Sequence, residues 1–259
     1  MMTRVLVPVA VLERESVSPG LISLLGTVDV TLLGYHVLPE QTPPDQARLQ
    51  FEERATAALE DLREDFAAAG GEADHRLVFT RDREQTVQRV AAEVDADAFA
   101  VTGAVGDVDR LLVSLSGDVD VDRVLSFVER LVGDREVGVT LFLAAGAGSP
   151  ADAAADAPEG TAPDDADRAR LEAAADRLRE AGVEATTELA ESGSPFDALI
   201  DAAAGHDAVV MAERAPSFRS LVFGDEGERV AAASVGPVIV VRDAESDASA
   251  AGTRTGREE

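Results

Sequence analysis

The sequence contains an internal echo. RVLVPV at residues 4–9 returns as RLLVSL at 110–115, and VTLLGY at 30–35 returns as VTLFLA at 139–144. The offset is about 106–109 residues, which marks an internal repeat of one supersecondary unit. Each echoed piece is a short, Val- and Leu-rich run without polar alternation, the pattern of a strand buried on both faces. Segments of helical periodicity lie between them. Strands joined through helices run parallel with right-handed crossovers, so the chain is expected to fold as tandem doubly wound parallel-sheet α/β domains.

The remaining elements follow from spacing. Strands are expected at 5–9, 30–38, 77–79, 98–102, 110–115, 139–144, 183–189, 208–211 and 238–241. Phe51, Ala55, Leu59, Leu62 and Phe66 keep helical spacing, with Gly70 and Gly71 as a stop. Val121, Val124, Leu125, Val128, Leu131 and Val132 make the clearest amphipathic helix. Ser194 and Pro195 open another as N-cap and first helical residue. The first copy is the shorter one: about eight residues separate its strand at 98–102 from the second copy, too few for a further helix and strand. The expected division is a first domain over 1–107 lacking its last helix and strand, a second over 108–243, and a disordered polar tail over 244–259. Residues 146–165, rich in Ala, Gly, Pro and Asp, read as a flexible acidic loop.

Composition narrows the function classes. Fifty acids face 23 bases, all of them Arg, for a formal charge of −27. That charge repels phosphate backbones and anionic lipid, so neither nucleic acid nor a membrane surface is an expected partner. The acids are spread along the chain, as on a surface adapted to molar salt, where screening removes self-repulsion; a halophilic protein is expected. The absence of cysteine excludes disulfides, thiolate nucleophiles and Cys-based metal sites. MMTRVLVPVAVLERES reads as a first strand rather than a signal peptide. The apolar run at 231–241 is too short to cross a bilayer, so a cytoplasmic protein is expected.

RVLVPVA at the start, GYHVLPE at the end of the second strand, ESGSPFDALIDAAAGHDAVVMAE in the second half and FGDEGERVAAASVGPVIVVRD near the end together resemble the universal stress protein (UspA-type) family, as a tandem pair. The resemblance implies the adenine-nucleotide α-hydrolase-like α/β fold, five parallel strands per domain, no general enzymatic activity, and dimerisation through the last strand. Residues 238–241 are then the pairing edge of the second domain. Two partners remain open for that edge: the first copy, as an intra-chain pseudo-dimer, or a second chain, as a homodimer.

Some family members bind ATP through an acid after the first strand and a G-x-x-G loop followed by G-[S/T]. Glycines let backbone amides approach phosphate, and a helix N-terminus adds positive potential. In this chain the strand-one acid is missing, with Ala10 in the first copy and Ser116 in the second. In the second copy the glycine positions fall on Ala212, Ala215 and Gly224, and the hydroxyl position on Asp225, whose carboxylate would oppose a phosphate. The first copy keeps Gly103 and Gly106 as a vestige and lacks everything downstream. Candidate cofactor contacts are therefore Ser116, Gly117, Gly224 and Asp225 in the second cleft, with Gly103 and Gly106 in the first.

Other patterns carry less. Asp118, Asp120 and Asp122 in SGDVDVD match part of a calcium loop, but Arg123 stands where that loop needs glycine and the helix already begins at Val121. Gly146, Gly148 and Ala151 match G-x-G-x-x-A loosely, without a helix opening there. His36, His75 and His206 sit on different elements, and His36, at a strand end, is the best placed for ligand contact. No catalytic triad, nucleophile elbow or metal set assembles, and no enzyme is expected. The expected function is a non-enzymatic stress-response or regulatory module with a degraded nucleotide loop, no cofactor, and a protein partner. Two alternatives stand beside it: an ATP- or AMP-binding regulator using the second cleft, and a regulatory subunit acting in trans on a membrane transporter.

Overall fold

A computed structural model of the chain describes residues 3–13, 15–39, 43–144, 163–190, 194–215 and 236–243. In chain order these form β1 Arg4–Ala10, α1 Pro19–Leu25, β2 Asp29–Val37, α2 Pro44–Ala68, β3 Ala73–Thr80, α3 Arg83–Glu93, β4 Ala98–Val101 and β5 Arg110–Ser114. Then come α4 Val121–Val132, β6 Gly138–Ala144, α5 Pro163–Glu180, β7 Ala185–Ala190, α6 Pro195–Ala203, β8 Ala208–Ala212 and β9 Val238–Val241. Most elements lie within a residue or two of their sequence positions. The exception is β3, expected at 77–79 and found over 73–80. It is an edge strand, and its exposed Asp74 and Arg76 alternate with half-buried residues, which hides it from a search for apolar runs.

All nine strands join one sheet in the order β3-β2-β1-β4-β9-β8-β5-β6-β7. Neighbours are parallel throughout, except β4 and β9. On one side of that seam the order is β4-β1-β2-β3. On the other, beyond β9, it is β8-β5-β6-β7, the same order again. Strand β9 alone has no counterpart. It pairs antiparallel with β4, Ala98 opposite Val241 through Val101 opposite Val238. Residues 238–241 thus have their partner within the chain. The first half makes no strand after β4, so β4 keeps a free edge, and an unpaired row of N–H and C=O groups is costly to leave buried. The four buried residues of β9 fill it.

The helices cover both faces. Leu21 and Leu25 of α1, Leu59 and Phe66 of α2, Leu125 and Leu131 of α4, and Leu171 and Leu178 of α5 share one apolar cluster with one face of the strands. Val87 and Val90 of α3 and Leu199 and Ala203 of α6 pack on the other. No described helix is long and apolar enough to cross a membrane.

Two details join or repeat across the halves. Arg135, just past α4, donates to the carbonyls of Ser23 at 2.5 Å and Leu24 at 2.7 Å, near the end of α1, and to those of Leu131 and of Val132 at 3.2 Å. One guanidinium therefore satisfies carbonyls at the ends of helices from both halves, and its partial burial lowers its pKa from the ordinary arginine value. Second, Asp97, just before β4, accepts the Arg4 N–H at 3.0 Å and donates its own N–H to the Arg4 carbonyl at 2.9 Å. Asp207, just before β8, does the same for Arg110, at 2.8 and 2.9 Å, and also accepts the Asp109 N–H at 3.1 Å.

Candidate functional site

Ligands of doubly wound sheets bind beyond the carboxyl ends of the strands. Because β4 and β9 run antiparallel, the carboxyl ends of the two halves lie at opposite ends of the sheet. Each half therefore has its own cleft.

The first cleft is an open hollow of about 880 Å³ lined by residues 15–19 and 102–106. The sequence offers no acid at the end of β1, where Ala10 stands. The structure supplies one from five residues further on. The carboxylate of Glu15 accepts the N–H of Ala10 at 2.6 Å and the hydroxyl of Thr102, just past β4. An acceptor group thus sits at the carboxyl ends of the neighbouring strands β1 and β4. Glu15 was missed because an acid was sought in line at position 10, whereas the chain turns back, with the Glu13 N–H donating to the Ala10 carbonyl at 3.0 Å. The signal available in the sequence was VLERES itself, two acids between the first strand and the first helix.

Gly103 and Gly106 do different things. A Cβ on Gly103 would lie 2.2 Å from the carbonyl carbon of Gly236 and 2.5 Å from the nitrogen of Pro237, so this glycine lets the chain entering β9 pass close by. Gly106 has open space around its own Cβ position, but its carbonyl oxygen lies 1.9 Å from where a Cβ of Gly20 would be. The loop after β4 is settled against the start of α1.

In the second cleft, Ser116 is buried and its hydroxyl accepts the N–H of Ala144 at 2.9 Å, tying the end of β5 to the end of β6. Gly117 is buried with φ +94°, a left-handed turn that a side chain would strain. Asp120 caps α4 by accepting the Arg123 N–H at 3.0 Å, and Asp122 pairs with Arg177. The acids of SGDVDVD that open α4 are thus a helix cap and an interhelical ion pair. Ala212 and Ala215 are both buried and closed into a turn, the Ala215 N–H donating to the Ala212 carbonyl at 3.0 Å. Between them Glu213 points to the first half: it accepts from Gln88 of α3 at 2.8 Å, and its N–H bonds the Val241 carbonyl at 2.9 Å. Arg214 pairs with Asp243 at 2.6 Å. The carboxyl of Asp243 is raised above its ordinary value, chiefly by burial, with Arg214 opposing and Glu213 adding to the rise. Glu213, between the two alanines that stand at the expected glycine positions, thus ties this turn to the first half. Gly224 and Asp225 lie outside the described residues, as do Gly146, Gly148 and the DEGERVAAAS segment.

His36 lies against the rings of Phe51 and Phe79 at 5.8 and 6.4 Å. His206 bonds the Ala202 carbonyl and the Thr140 hydroxyl, both at 2.9 Å. His75 lies in the edge strand β3. The three histidines share no site. A separate hollow of about 590 Å³ opens at the amino ends of β1–β3 among Arg4, Asp29, Arg63 and Asp74; that is the end where such sheets do not hold ligands.

The model of the universal stress protein family matches residues 107–242. No curated protein matches the sequence. Among solved structures, a universal stress protein from Archaeoglobus fulgidus DSM 4304 superposes with a TM-score of 0.57 at 17% identity, over 92% of this chain and 96% of its own. A functionally unknown protein from Pseudomonas aeruginosa PAO1 reaches 0.50 at 12% identity, over 97% and 96%. Both show the same α/β fold across nearly the whole length, including the half that the family model does not reach. On these grounds, the chain belongs to the universal stress protein family.

Proposed function

We propose that the chain is a non-enzymatic regulatory module of the stress response, built as a tandem pair that completes its own dimer-like sheet, and that its clefts do not grip nucleotide phosphate. The observation that carries this reading is the junction after β4: the first half runs from Val101 to Arg110 without the helix that would carry G-[S/T], and Gly103 is spent on the close approach of the chain entering β9. In the second cleft, Ser116 and the AERA turn are committed to the sheet and to the seam between halves. The tandem reading is supported by the recurring strand order and by the matched bonds of Asp97 and Asp207. Pairing of β9 with β4 consumes the edge through which two chains would otherwise join, which favours a monomer with an internal pseudo-dimer. What such a module passes on is a contact with a protein partner in the cytoplasm.

The test is calorimetry of the full chain with ATP–Mg²⁺ in molar KCl. No heat of binding is expected. Micromolar binding that is lost in Gly224→Glu overturns the reading in favour of an adenine-nucleotide regulator using the second cleft.

A further inference from the structure

We infer that the start of β3 is a docking site for an arginine side chain carried by a protein partner. This rests on the reading above that the chain works through such a partner. The two outer strands of the sheet, β3 and β7, hold equivalent places in the repeat. The helix ends that lead into them match bond for bond. Gly70 and Gly182 both stand at φ +87°. The Gly70 N–H donates to the Ala67 carbonyl at 3.1 Å, and the Gly182 N–H to the Arg179 carbonyl at 3.0 Å. The Gly71 N–H donates to the Phe66 carbonyl at 3.0 Å, and the Val183 N–H to the Leu178 carbonyl at 2.9 Å. Ala73 then pairs with Val30 as Ala185 pairs with Val139. Ala67 therefore stands where the second half has Arg179, Glu64 where it has Asp176, and Ala73 where it has Ala185.

In the second half the guanidinium is in place. Arg179 donates through Nε to the Ala185 carbonyl at 3.0 Å and through Nη1 to Asp176 at 2.7 Å, with Glu172 at 3.5 Å. It caps an outward carbonyl of an edge strand. In the first half the acceptors are kept and the donor is gone. The hollow of about 590 Å³ opens there, lined by Glu64, Ala67 and Ala73. Thr80 turns its carbonyl toward β2, where it accepts the Leu38 N–H at 2.7 Å, so by the alternation along a strand the Ala73 carbonyl points to the free edge. Among the described residues no side chain donates to it, and Arg63, which also lines the hollow, bonds to neither Glu64 nor that carbonyl. A guanidinium offers N–H groups in a fixed planar fork, which one carbonyl and one carboxylate answer; an ammonium does not match that fork. Free arginine would bring its own carboxylate against Glu64, Glu72 and Asp74, which favours an arginine held within a protein segment. Small ligands of such sheets sit at the other end. Here the occupant is a partner's side chain, and the free edge beside it accepts the partner's backbone as an added strand.

The experiment is calorimetry of the full chain, at one fixed KCl concentration, with the blocked peptide acetyl-Thr-Val-Arg-Val-Thr-amide, whose β-branched residues suit an edge strand. Binding at about millimolar affinity or tighter is expected. The same peptide with lysine or with neutral citrulline in place of arginine is expected to bind at least about tenfold more weakly. Glu64→Gln is expected to weaken the arginine peptide about tenfold, the equivalent of one lost charge-assisted bond. Ala67→Arg supplies the guanidinium from within the chain, as Arg179 does, and is expected to abolish peptide binding. Position 67 is exposed on a helix, and arginine is a good helix former, so the variant folds. A wild type that does not bind the peptide overturns the docking site. So does equal binding of the lysine or citrulline peptide, or binding unchanged by Ala67→Arg or Glu64→Gln. Free L-arginine that binds as tightly as the peptide overturns the protein partner in favour of an amino-acid ligand. ATP binding sinks the proposed function instead and leaves this edge as it is, and failure of the peptide to bind leaves the reading of the clefts standing.

Discussion

Replacing Gly103 by alanine tests the seam between the halves. The added Cβ would sit 2.2 Å from the Gly236 carbonyl carbon, 2.4 Å from its oxygen and 2.5 Å from the Pro237 nitrogen. Non-bonded carbon atoms rest about 3.5–4.0 Å apart, so one backbone must retreat by more than about 1 Å. Neither can do so freely. Gly236 is held at φ +78°, and its own Cβ position is 2.6 Å from the Asp207 carbonyl. The Pro237 carbonyl accepts the Val209 N–H at 3.0 Å, and Val238 is already in register with Val101. Overpacking of this kind costs about 1–3 kcal/mol when side chains give way. Here only backbone can give way, so the upper end, about 3 kcal/mol, is expected. For a chain of this size that lowers the thermal midpoint by about 6–12 °C. The matched control is Gly106→Ala, whose Cβ meets nothing within 4 Å, and which is expected to stay within about 0.5 kcal/mol of the wild type. Urea unfolding and calorimetry at one fixed KCl concentration measure both. If Gly103→Ala falls within about 1 kcal/mol of Gly106→Ala, the close approach is not what fixes glycine at 103, and the argument fails.

Two further predictions concern the same junction. Asp207→Ala leaves the N–H groups of Asp109 and Arg110 without their acceptor and is expected to cost about 1–3 kcal/mol in urea unfolding. Asp97→Ala, which releases one backbone N–H, that of Arg4, and a half-exposed ion pair with Arg123 at 3.9 Å, should cost less, and the reverse order would argue against equivalent roles. For Asp243, burial raises the carboxyl above its ordinary 3.8, so the folded state keeps the proton to higher pH than the unfolded state does. Between those two values the folded chain binds more protons, and its contribution to stability is present below 3.8 and lost as pH rises through the raised value. Stability of the wild type relative to Asp243→Asn is therefore expected to fall as pH rises out of the ordinary carboxylate range. A difference that is flat or rises with pH means that Arg214, not burial, dominates there.

The fold was legible because strands buried on both faces announce themselves as unbroken apolar runs, as in 4–9 and 110–115. β3 escaped in part because one side of an edge strand faces water and the signal thins to an alternation. The partner of β9 was half legible: the sequence left the first copy and a second chain both open, and the structure pairs it with β4 of the first copy. It is set by an absence, the strand that the first half does not make, and sequence shows a missing strand without showing what takes its place. The site failed for a related reason. Searching for an acid at a fixed offset assumes that the side chain which reaches a position also follows it in sequence, and Glu15 reaches the end of β1 by turning back. Ser116 was found at the right place, but its hydroxyl is spent on Ala144.

The glycines teach the sharper lesson. A glycine that lets a phosphate approach the backbone and one that lets another strand approach it are the same letter. Gly103 looked like the remnant of a phosphate loop because the family resemblance supplied only the first use. The structure supplies the second, since the atoms that a side chain at 103 would meet belong to Gly236 and Pro237 at the start of β9. Those atoms come so close because β9 pairs with β4 rather than with another chain. A universal stress domain that kept its own last strand would not place that strand's lead-in against its partner's β4 loop. The missing strand of the first half leaves β4 open to β9, and the close approach of the chain entering β9 in turn calls for glycine at 103. Restoring a fifth strand to the first half should therefore relieve position 103 of its need for glycine.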